Sequence, residues 1–138
     1  MENHATSQSD RDFRLAFESY SVTPAQFNHE AHLRLAYVYL VENDLTTAQE
    51  RMRRALLMFL AAHGIPLEKF HETLTRAWVL AVRHFMNRSP SLCFSEFAAK
   101  NQPLLDSKVM LTHYSASVLF SPSARASYVE ADLAAIPQ

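Results

Sequence analysis

The chain has 138 residues, 49% of them hydrophobic, with 13 lysines and arginines against 14 aspartates and glutamates. That length supports one domain with its own core, and the balanced charge excludes a broad electrostatic grip on nucleic acid or anionic lipid. A lone cysteine, Cys93, cannot bridge internally, and a lone glycine, Gly64, excludes glycine-rich phosphate loops and most tight hairpin turns.

Residues 1–10 are polar and lack the basic start and apolar run of an export signal, so they read as a disordered tail on a cytoplasmic protein, with His4 solvated and the folded domain spanning 11–138. Asp10 caps a first predicted helix through Tyr20 that buries Phe13, Ala16 and Phe17. Thr23-Pro24-Ala25-Gln26 is a capping box with proline at the first helical position, and predicts a second helix to about Glu42. A third runs from about Thr47 to His63 with Ala48, Met52, Ala55, Leu56, Phe59 and Leu60 on one stripe. Gly64 ends it, and His63 is expected to meet its last carbonyls.

Pro66 opens a fourth predicted helix to about Met86, with Leu67, Phe70, His71, Leu74, Trp78, Ala81 and Phe85 on one side. Shorter helices follow: one capped by Ser91 to about Lys100, one capped by Asp106 through Tyr114, and one from Ser121-Pro122 to near Glu130. The strongest apolar run, Ala55 to Ala62, falls far short of the ~20 residues a membrane-spanning helix needs. Short connections favour antiparallel neighbours, so the expected fold is all-α: a compact single-domain helical bundle with short C-terminal helices packed on it.

Chemistry gathers around three histidines on otherwise apolar faces. His29 and His32 are three residues apart, a spacing that puts Cβ atoms ~5–6 Å from each other on a helix, and His71 lies on the face that carries Leu67, Leu74 and Trp78. If the second and fourth helices are neighbours, the three rings can hold one divalent transition metal, with Zn, Fe, Cu and Ni all suited to imidazole. Glu68 and His71 make a single Glu-x-x-His step. Di-iron bundles need two, which favours a mononuclear site with Glu72 or Glu68 as orienter, fourth ligand or general base. His113 and Tyr114 are candidates for a further ligand, proton donor or substrate contact, and Arg76 for pairing with a substrate anion. The competing interpretation of each is structural: core histidines bonded to backbone, a tyrosine covering the core, and an arginine paired with Glu72 or Glu68.

The strings Phe27-x-His29-x-x-His32-Leu33, Lys69-Phe70-His71-Glu72-Thr73-x-Thr75-Arg76-Ala77-Trp78 and His113-Tyr114-Ser115 resemble those of a set of small all-helical bacterial proteins of undefined activity. The resemblance spans most of the chain beyond residue 20 and implies no reaction; it marks these positions for testing. Two functions remain open on sequence. One is a metal-dependent enzyme acting on a small polar molecule, through metal-activated water or oxygen chemistry, without nucleic-acid or membrane partners. The other is a non-catalytic helical interaction module or homodimer in which the histidines are structural and Met52, Met58 and Met86 adapt to a partner.

Overall fold

Ser7, three residues before the predicted cap, starts the first helix. Its hydroxyl accepts from the backbone N–H of Asp10, whose carboxylate accepts in return from the N–H of Ser7, and α1 (Gln8–Glu18) grows from that reciprocal cap. α1 closes with the Tyr20 N–H on the Phe17 carbonyl and the Ser21 N–H on the Ala16 carbonyl, which holds Tyr20 at φ 66°. Glycine usually takes this left-handed position, and a side chain there costs roughly 1–2 kcal/mol.

The computed structural model describes residues 4–137, and among them the chain forms helices, turns and one isolated backbone bridge between His4 and Ser91. The Thr23–Gln26 capping box forms, the Gln26 side chain accepting from the Thr23 N–H at 2.9 Å and the Thr23 hydroxyl from the Gln26 N–H at 3.3 Å. It closes only one turn. Phe27 must swing inward to meet the rings of Phe17 and Phe59, at centroid distances of 4.7 and 5.4 Å, and this tertiary packing overrides the local start signal. Asn28 caps afresh, its side-chain oxygen accepting from the Ala31 N–H, and α2 runs His29–Glu42.

α2 is the central element. Leu33 and every residue from Leu35 to Leu40 are buried, which covers all sides of the helix, and α1, α3 (Leu45–Ala62), α4 (Glu72–Met86) and α5 (Phe94–Lys100) pack around it, α4 most extensively. Each large apolar side chain so buried contributes roughly 1.5–3 kcal/mol. The stripe Ala48, Met52, Leu56 and Phe59 anchors α3. Gly64 at φ 67° ends α3 with the same bond pattern that closes α1, whereas the His63 ring sits edge-on against Phe59 rather than on the last carbonyls.

Pro66 opens a single 3-10 turn, Leu67–Lys69, and Phe70 is extended, so α4 begins six residues later than the proline signal suggests. Beyond α5, whose N-cap is Cys93 rather than Ser91, come 3-10 turns Gln102–Leu105 and Ser107–Thr112, then α6 (Ala116–Leu119) and α7 (Pro122–Ala126). Asp106 caps its turn as expected. α7 stops at Ala126, short of Glu130, because the buried Thr73 hydroxyl donates to the Ser127 carbonyl and accepts from the Val129 N–H, pinning an extended strand of backbone against α4. The all-α, single-domain architecture is therefore as the sequence predicts.

The N-terminal segment is not a free tail from His4 onward. His4 is only 8% exposed, its ring lies against the Ser91 hydroxyl and the Met86 carbonyl, and the Tyr37 hydroxyl donates to the Ala5 carbonyl at 2.8 Å. A single tail residue can lodge this way because Ser91 and Tyr37 are buried polar groups that need partners. Among the described residues, no helix is long and apolar enough to cross a membrane.

Candidate functional site

α2, α3, the turn after Pro66 and α4 enclose a cleft of about 320 Å3, and His29, His32 and His71 all line it. The remaining walls are mainly apolar: Phe27, Leu56, Phe59, Phe70, Leu74 and Trp78, with Lys69 at the rim. The two stretches of chain expected to converge do so. Each histidine, however, is positioned by a different local device.

His29 is the first residue of α2 and His32 lies one turn in. The His29 Nε2 sits 2.9 Å from the Leu104 carbonyl, which can only accept, so Nε2 carries the proton and Nδ1 keeps its lone pair. Its ring meets Trp78 edge-on with centroids 4.6 Å apart. The His32 ring packs against Phe27 and has no hydrogen-bond partner among the described residues. Burial, with the adjacent His29 adding to it, pushes its pKa down to about 4. The positive end of the α2 dipole acts in the same direction. At neutral pH, His32 is an uncharged imidazole in an apolar wall.

His71 is the N-cap of α4. Its Nδ1 accepts from the Leu74 N–H at 3.0 Å, which fixes the proton on Nε2, and Nε2 donates to the Leu119 carbonyl at 2.7 Å. The ring is 8% exposed, and burial holds its pKa below the usual histidine value, the Leu119 carbonyl opposing that effect and the Arg125 charge reinforcing it. Both nitrogens are thus spent on backbone. The Glu68-x-x-His71 step does not share a helix, since Glu68 is in the 3-10 turn.

A three-histidine metal centre needs three free lone pairs converging on one point. His71 has none to offer, and among the described residues no group of three or more His, Cys, Asp or Glu side chains is arranged to hold a metal ion. The residues present do not fit the mononuclear centre that the spacing suggested. The reason is local: a histidine at an N-cap uses the ring nitrogen that a metal would require.

The expected catalytic side chains lie elsewhere. Glu72 pairs with Arg53 at 3.0 Å, and Glu68 is exposed. Arg76 stacks over the Tyr128 ring, 4.7 Å from its centroid. The Tyr114 hydroxyl is buried and donates to the Val129 carbonyl at 2.6 Å; burial, with Tyr128, Glu130 and Asp132 nearby, raises its pKa further above the ordinary phenol range. His113 donates from Nδ1 to the Ala134 carbonyl and borders a separate cavity of about 130 Å3 shared with His84. None of these five borders the histidine cleft. Sequence reasoning missed Phe27, Phe59 and Phe70 as cleft walls; Phe27 and Phe70 flank the histidine motifs, which is also how a core appears, and Phe59 shows only as a core position of α3. No protein-family model, curated protein or solved structure matches the chain.

Proposed function

We propose that the cleft is a binding site for a small, mainly apolar molecule bearing one hydroxyl- or amide-like group, which hydrogen-bonds to His32 and to the free Nδ1 of His29. The observation that carries this is His32: a neutral ring in an apolar wall whose nitrogens have no protein partner, next to a second ring with one lone pair open. The ring is half-buried and opens into the cleft, where a ligand hydroxyl or amide that replaces water can hydrogen-bond to it while its apolar body covers the walls. Lys69 at the rim disfavours cations.

The protein on this reading is a binding module rather than a metal-dependent enzyme. Metal chemistry would require His71 to give up either the α4 cap or the Leu119 bond. General base catalysis fares no better, since a histidine with a pKa near 4 is too weak a base to drive proton transfer at pH 7. A half-buried, unpaired thiol at Cys93 suits a reducing compartment, and we place the protein in the cytoplasm.

Phenol, toluene and benzylamine test the proposal, with heteronuclear NMR following the His29 and His32 ring carbons and the indole N–H of Trp78. Phenol should shift all three saturably, with Kd on the order of millimolar for so few atoms. It should bind ~3–10-fold tighter than toluene, the value of one hydrogen bond, and benzylamine should not bind. His32→Leu should reduce the preference for phenol, and His32→Leu with His29→Leu should abolish it. Equal affinity for phenol and toluene, or no response at these rings, refutes the assignment.

A further inference from the structure

A second concavity, of about 410 Å3, lies where the end of α1 meets α2 and α3, and shares no lining residue with the histidine cleft. Arg51 and Arg54 border it from one face of α3, three residues apart. Both are exposed and, among the described residues, neither is in an ion pair. The acidic residue in the lining, Glu18, is already spent: one oxygen receives Arg14 at 3.1 Å and the other the Tyr39 hydroxyl at 2.7 Å. Two guanidinium groups without a direct carboxylate partner remain, beside a Glu18 whose only cation among the described residues, Arg14, is shared with Glu42.

The lining also has apolar surface, Met58 from the same face of α3 as the two arginines and Tyr20 from just beyond the end of α1. Met58 is 44% exposed, and Tyr20 is 39% exposed on a left-handed backbone. The helix ends of α1 and α3 make an internal comparison, because both close with the same hydrogen-bond pattern, yet α3 uses Gly64 and α1 uses Tyr20. Backbone strain of this kind persists where a side chain has work to do, and here the strained residue sets an aromatic ring in the same lining as two arginines.

We propose that this concavity binds a small organic anion with a flat apolar body, an aryl phosphate or aryl carboxylate, its charged group bridged by Arg51 and Arg54 and its ring held between Tyr20 and Met58. Planar guanidinium forks match phosphate and carboxylate oxygens in pairs, which favours arginine over lysine for this task. The ring contact distinguishes the ligand from a simple ion.

Calorimetry with phenyl phosphate and inorganic phosphate at low salt tests the site. Phenyl phosphate should bind one to one and at least ~5-fold tighter than inorganic phosphate. The double variant Arg51→Gln/Arg54→Gln should weaken it at least ~10-fold with an unchanged melting temperature, and Arg83→Gln, on α4, should leave it unaltered. Tyr20→Gly should weaken binding several-fold while raising the melting temperature, which separates loss of the ring from loss of the fold. Equal affinities for the two phosphates, full binding by the double variant, or equal loss in Arg83→Gln overturns the proposal.

Discussion

Lowering the pH should destabilise the protein through His32, and the magnitude follows from its position. The ring titrates near its ordinary 6.5 in the unfolded chain and at about 4 in the folded one. Between these values the unfolded state binds more protons, so stability rises with pH across the window and is lost as pH falls from 6.5 toward 4. At ~1.4 kcal/mol for each pH unit separating the two values, the folded state forfeits about 3 kcal/mol by pH 4. With a urea dependence of ~2 kcal/mol per molar, the unfolding midpoint should drop by about 1.5 M. The assay compares wild type with His32→Leu at pH 7 and pH 4, so that carboxylates and other histidines cancel in the difference. A chain lacking His32 should lose about 3 kcal/mol less than wild type over that interval, and NMR titration of the ring carbon should give a midpoint near 4. Equal losses in the two proteins, or titration near 6.5, would show that His32 is not held neutral by the cleft.

Two further expectations separate structural from chemical roles. His71→Ala should destabilise by roughly 2–4 kcal/mol, from a lost cap and an unsatisfied Leu119 carbonyl, whereas His71→Asn should restore about 1 kcal/mol by capping Leu74 again; chemical denaturation reads both, and equal destabilisation by the two variants would contradict the cap. Asp10 accepts from the backbone of Ser7 and Phe94 and from Arg34; its burial opposes ionisation, but these donors outweigh it and hold the carboxyl below its ordinary 3.8. Its contribution is therefore present above that value and is lost as pH falls through the lower folded one. Asp10→Asn should cost roughly 2–4 kcal/mol at pH 7 and less at pH 2, measured by thermal unfolding.

The positions of the misplaced boundaries explain what sequence patterns could and could not convey. Apolar periodicity located α3 and the body of α2 and α4, because a 3.6-residue repeat reflects one buried face whichever neighbour covers it. Start signals failed where a long-range contact competed with them. The Thr23 cap is real and yet yields one turn, since Phe27 gains more from Phe17 and Phe59 than from continuing the helix. Pro66 likewise starts only a turn, and α4 begins at Glu72, capped by His71, a residue type not read as a cap. Tyr114 and His113 looked chemical because polar groups near apolar ones always do; backbone carbonyls 15 and 21 residues away satisfy them.

Composition and pattern alone determined that this chain is a single all-helical domain and that His29, His32 and His71 stand out as polar groups among apolar ones. Both conclusions depend on side-chain chemistry and on spacing along the chain, which sequence records directly. Tertiary structure decided what the rings are for. It put all three in one cleft, then bound both nitrogens of His71 to Leu74 and Leu119, gave His29 to Leu104, and left His32 open. Hydrogen-bond partners of that kind are backbone groups, present at every residue and therefore carrying no signature in the sequence.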